Sequence, residues 1–183
     1  LDQVRSLLAA GVPAAGSDWP SLWSTVAVDL LRMLDAGDLT AFDTAFPIVG
    51  QALSACDAPA RHAAMPLLFG DFTRRAIAAG FDRTRFVAWL GPAEILNAPA
   101  GRARGRVLWF KNAKGHGRIL GSNGVIHFVH FSMFRETDLQ RAAGGFLRPI
   151  DGGELVEFTP QYATFNSGPG FGAYDVACLN ETG

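Results

Sequence analysis

Residues 105–132 read GRVLWFKNAKGHGRILGSNGVIHFVHFS. Three short runs rich in β-branched and aromatic residues, 106–111, 116–120 and 125–131, are separated by Gly- and Asn-containing stretches at 112–115 and 121–124. Runs of that length bounded by turn residues predict a three-strand meander. The charge pattern is unusual for a plain sheet. Six cations (Arg102, Arg104, Arg106, Lys111, Lys114 and Arg118) fall within 102–118, with no carboxylate among them. The rings of Trp109, Phe110, His116, Phe128, His130 and Phe131 accompany them. Bases stack on aromatic faces while Lys and Arg follow phosphates, so this mixture suits a single-stranded nucleic acid.

Side chains alternate between the faces of a strand, so Phe128 and His130 share one face and Val129 takes the other. A histidine on a closed apolar face would be costly unless hydrogen-bonded. The face carrying Phe128 and His130 is therefore expected to be open, with Trp109, Phe128 and His130 as stacking residues. His127 falls on the face opposite His130, so the two are not expected to share a metal.

The same stretch resembles the cold-shock domain, a small five-stranded OB-type barrel that binds single-stranded RNA and DNA. Val107-Leu108-Trp109-Phe110 stands where that family has Val-Lys-Trp-Phe. Lys114-Gly115-His116-Gly117-Arg118-Ile119 matches its Lys-Gly-Phe-Gly-Phe-Ile motif, and His127-Phe128-Val129-His130-Phe131 its Val-Phe-Val-His-Phe motif. Gly145 to Arg148, Gly152 to Phe158 and Gly168-Pro169 followed by 173–176 look like the family's last two strands and the segments before them. The resemblance covers about residues 103–180. It implies a cold-shock-like barrel whose nucleic-acid-binding residues are Trp109, Phe110, Lys111, Lys114, His116, Arg118, Phe128, His130, Phe131 and Phe146. His116 and Arg118 replace two of the family's phenylalanines, and Leu108 replaces a lysine. Imidazole and guanidinium planes still stack on bases, and Arg adds a cation–π contribution.

Upstream, the pattern is helical. Residues 1–10 read as a short helix broken by GVPAAG at 11–16, with Ser17 or Asp18 as the next cap and Pro20 in the first turn. Leu22, Val26, Leu30 and Leu34 then recur every four residues, giving one apolar face. Gly37 closes that helix and Asp38 caps another, in which Pro47 is expected to produce a kink or a split. Met65, Phe69, Phe72 and Ala76 line a further segment that Gly80 ends, and Phe86 and Leu90 follow Asp82. Phe42, Phe46, Phe69, Phe72 and Phe86 read as core, with Trp19 and Trp23 at its edge. The reading is thus an all-α domain plus an all-β domain: a helical bundle over 1–98 followed by a five-stranded barrel over 103–183. The small, Pro/Gly-containing stretch at 97–104 is the boundary.

Composition narrows the function classes. Apolar residues make up 49% of the chain and charged ones 18%, so it is globular rather than disordered. No apolar run reaches the ~20 residues of a membrane helix. Cys56 and Cys178 fall in different halves, which fits free thiols in a reducing cytoplasm. The first residue is Leu1 rather than Met, as in a trimmed chain. Residues 1–100 carry seven Lys/Arg against ten Asp/Glu, and the remainder nine against seven. The acidic helical half is therefore expected not to bind nucleic acid itself but to limit what the barrel can bind.

Enzyme chemistry has little to stand on. No Gly-x-x-x-x-Gly-Lys-Ser/Thr phosphate loop and no Gly-x-Ser-x-Gly turn occur. Cys56 and His62 are a conceivable nucleophile and base, though a helix end with a polar histidine explains them as well. No catalytic residue, metal or cofactor is expected. The expected function is binding of single-stranded RNA or DNA in a regulatory role. The alternative is a protein-interaction module in which the altered barrel no longer binds nucleic acid and the helical domain holds a partner protein.

Overall fold

The computed structural model describes residues 18–92, 96–139 and 148–179. The helix expected over 1–10, its break at 11–16, Ser17 as a cap and the Phe146 site lie outside the described residues.

Each of the first three helices begins on an aspartate. Asp18 caps α1 (Trp19–Asp35), Asp38 caps α2 (Leu39–Ala55) and Asp57 caps α3 (Ala58–Leu68). Each carboxylate accepts the N–H three residues on, at 3.2, 2.9 and 2.9 Å. Such a cap satisfies an otherwise orphaned donor and contributes about 1 kcal/mol. A short helix α4 (Asp71–Ala78) and a 3-10 helix (Arg83–Trp89) capped by Asp82 complete the unit. Pro47 sits inside α2 and does not split it.

The helical core contains a cluster of aromatic rings. Trp89 lies between Phe46, stacked at 4.1 Å, and Phe72, near-parallel at 6.0 Å. Its indole N–H donates to the Phe46 carbonyl at 3.1 Å. Phe86 packs edge-on against all three, while Phe42 and Phe81, edge-on to each other, lie tilted against Phe46. Trp23, expected at the edge of this core, is buried within it.

Five strands follow: β1 (Ala103–Lys111), β2 (His116–Gly121), β3 (Ile126–His130), β4 (Leu155–Phe165) and β5 (Gly168–Cys178). Their order is β1-β2-β3-β5-β4, and β4 pairs back onto β1, so the sheet closes in a ring. All pairings are antiparallel except a short parallel one where Phe128 meets Gly172. The fold class expected from the sequence, a helical unit followed by a closed five-stranded sheet, is the one observed. Residues 162–171 form the end of a long β4–β5 hairpin. Between β3 and β4, Glu136–Leu139 forms a short helix, α5.

Two cores result. Val107, Ile119, Val129, Val156, Phe158 and Val176 fill the inside of the ring. Leu108 and Leu120, on its outside, belong to the helical core. The helical unit is therefore packed onto one end of the outer sheet face. Gly152 and Gly153, just before β4, let the backbones meet there. A Cβ on Gly153 would lie 2.5 Å from Met65 of α3, and its φ of 89° already favours glycine. Among the described residues no helix is long and apolar enough to cross a membrane.

Candidate nucleic-acid interface

A bulge in β1 decides which rings face outward. The β1–β2 register shifts between Val107 and Trp109. Val107 points into the ring, while Leu108 and Trp109 both lie on the outer side, Leu108 in the helical core and Trp109 against it. An extra residue in one strand re-aims the side chains that follow. Phe110, next along, therefore turns inward and packs edge-on against Phe134 at 5.8 Å. The resemblance implies Phe110 as a stacking residue; the structure places it against the inner core.

The other outer-face residues come together. Trp109 pairs with Arg118 across β1–β2, and Arg118 with Phe128 across β2–β3. The Arg118 guanidinium lies 5.0 Å from the Phe128 ring centre and 6.0 Å from that of Trp109. Burial lowers the pKa of this guanidinium, which stays charged. His116 is 6.4 Å from Phe128 in a near-parallel arrangement and 6.1 Å from Trp109. His116 also pairs with His130, whose ring is 4.5 Å from exposed Phe131. The His130 imidazole has a structural duty too, since its Nδ1 lies 2.9 Å from the Ser132 hydroxyl at the start of a one-turn 3-10 helix. Lys111 extends its ammonium to 5.7 Å from the Trp109 ring, and Lys114 is exposed in the β1–β2 turn. Trp109, His116, Arg118, Phe128, His130 and Phe131 thus form one half-exposed strip with Lys111 and Lys114 at its edge.

Half of the cation cluster is used elsewhere. Arg102 bonds Glu157, Thr159 and Asp175. Arg104 pairs with Glu157 at 2.9 Å. Arg106 is buried, donating to the carbonyls of Leu90 and Gly153. The carboxylate partners come from β4 and β5, and Arg106 is held by Leu90 of the helical unit and Gly153 before β4, which is why a local reading of 102–118 shows no carboxylate. Asp175, left-handed at φ 49°, is held by Arg135 and Arg102, whose guanidiniums keep its carboxyl well below the usual range.

The structure adds one ring that the sequence reading did not single out. Phe165, at the tip of β4, packs 4.8 Å from Phe128 and lengthens the strip. Gly172, the residue opposite Phe128, makes this possible. A Cβ there would meet the Phe165 ring at 2.7 Å and the Tyr174 ring at 2.9 Å. The signal lay in the Gly-rich aromatic stretch 162–171, but choosing Phe165 within it requires the hairpin register.

Other reactive groups are quiet. Burial pushes the Cys56 thiol up to about 11 and the Cys178 thiol up to about 12, so neither is a ready nucleophile. Among the described residues no group of three or more His, Cys, Asp or Glu could hold a metal ion. A cleft of about 660 Å³ between α3 and the start of β4 is occupied at one wall by the paired Arg148 and Glu154.

His127, on the inner face, is buried against Phe158 at 4.8 Å, and neither ring nitrogen has a hydrogen bond of normal geometry. Burial pushes its pKa below the usual range, partly offset by the nearby Gly172 backbone. The unfolded chain therefore binds a proton first as pH falls through about 6.5. Stability should decline from pH 7 towards pH 5.5, and His127→Leu should flatten that decline. Melting temperatures of both proteins across this range check it; parallel curves would exclude His127 as the cause.

No protein-family model and no curated protein matches the chain.

Proposed function

We propose that this protein binds single-stranded RNA or DNA on the outer face of β1, β2 and β3, as a cold-shock-like barrel carrying a helical unit. The observation that carries this reading is the strip itself. Six rings and a guanidinium from three strands, the turn after β3 and a hairpin tip lie side by side, half-exposed, with lysines at one edge. A row of planar groups is sequence-tolerant because every base has a π-face, and lysines beside it follow the backbone. Arg118 fills the position between Trp109 and Phe128, where its plane can stack on a base and its charge can meet a phosphate.

Titrating the full chain with single-stranded homopolymers tests the reading, since Trp109 should quench on stacking. Phe128→Ala should weaken binding by about 1–3 kcal/mol, that is ~5- to 150-fold. Unchanged affinity in the folded variant, or no binding by the parent protein, sinks the proposal. The second reading, a protein-interaction module, is favoured by Tyr162 and Phe171. They are exposed side by side 5.2 Å apart near the hairpin tip, outside the strip. That reading expects the parent protein to bind no homopolymer at any salt concentration.

A further inference from the structure

The strip has two unequal ends. Towards Leu108, Leu120 and Ile126 the outer face runs under the helical core. The β2–β3 turn closes this side further, as Gly124 lies against Thr84 and Val87 of the 3-10 helix. A strand crossing the rings cannot continue in that direction. At Trp109 the situation differs. Trp109 also lines a cleft of about 250 Å³ between α4 and β1, together with Arg74, Lys111, Asn112 and Asp151. Arg74 is exposed on α4, and Lys111 already reaches over the Trp109 ring. Arg74 of α4 and Lys111 of β1 thus line one cleft with Trp109, beside the end of the strip.

We infer that the single strand leaves the stacking strip at Trp109 and enters this cleft, where Arg74 of the helical unit and Lys111 of β1 hold its phosphates. This rests on the strip being a nucleic-acid face, and it gives the acidic helical unit a binding role in place of a purely excluding one. The unit would then both stop the strand at one end and grip it at the other. Neither half alone would hold the complete site, because Arg74 and Lys111 come from different halves of the chain.

The test uses the full chain and octathymidylate, measured by anisotropy over a salt series. Neutralising one phosphate contact should reduce the slope of log affinity against log salt by about 0.7 for a single strand. Arg74→Gln should therefore bind about 3- to 10-fold more weakly at low salt, with the gap closing as salt rises. Arg74→Lys should keep most of the slope. Phe128→Ala, measured in parallel, reports on the strip independently. If octathymidylate binds and Phe128→Ala weakens it, but Arg74→Gln keeps both affinity and slope, the inference is overturned and the strip stands. The same holds if Arg74→Gln weakens binding without changing the slope, because the effect is then structural. Absence of binding, or indifference to Phe128→Ala, overturns the underlying reading and this inference with it.

Discussion

Replacing Arg106 by methionine should destabilise the protein by about 3–5 kcal/mol, a large part of the stability of a domain this size. Its guanidinium is fully buried at the junction of the two units. It donates to the carbonyl of Leu90, which follows the 3-10 helix, and at 2.8 Å to that of Gly153, in the turn before β4. A carbonyl at a helix end has no intrahelical partner. Each carbonyl left buried without a donor costs about 1–3 kcal/mol, which methionine's apolar contacts offset only in part. Arg104 on the same strand is the control. It is half-exposed and pairs with Glu157, so Arg104→Met should cost under about 1 kcal/mol. Urea unfolding followed by tryptophan fluorescence separates the two. Equal losses would mean that the buried guanidinium does not hold the units together.

The sequence shows the helical unit and the meander because their signals are local. The Asp caps of α1 and α2 precede apolar-periodic segments, and the first three strands are bounded by turn residues. Phe128 and His130 sharing a face, with His127 opposite, follows from strand alternation alone, and the structure agrees. What was not legible depends on distant partners. Arg102, Arg104 and Arg106 look like a ligand-directed charge cluster because their acceptors lie beyond residue 150 or before residue 91. The inward turn of Phe110 depends on a bulge, and the bulge on the packing of both Leu108 and Trp109 against the helices. Phe165 joins the strip only because β4 and β5 run past the ring as a hairpin. Alternation predicts faces well until a strand gains a residue.

The same packing predicts how the β half behaves alone. Residues 101–183 expressed without the helices should be largely unfolded or self-associated, not a soluble binding module. In the intact chain Leu108 and Leu120 are buried against the helical core, and Trp109 and Ile126 lean on it. Removing the cover returns all four to water. Two fully buried leucines alone represent about 3–6 kcal/mol of lost burial. Arg106 loses the Leu90 carbonyl as well, and Gly152 and Gly153 lose the backbone of Phe69, Gly70 and Met65 that they pack against. Those losses together match the stability of a typical small domain, about 5–15 kcal/mol. The exposed leucines, tryptophan and isoleucine would form one contiguous apolar patch beside the stacking strip, a surface that drives association. Analytical ultracentrifugation and far-UV circular dichroism of the fragment decide the matter. A monodisperse, cooperatively folded monomer would show that the closed sheet stands alone and that the helical unit merely rests upon it. Leu108→Ser/Leu120→Ser would then restore nothing, whereas in a self-associating but folded fragment it should recover the monomer by removing the sticky surface.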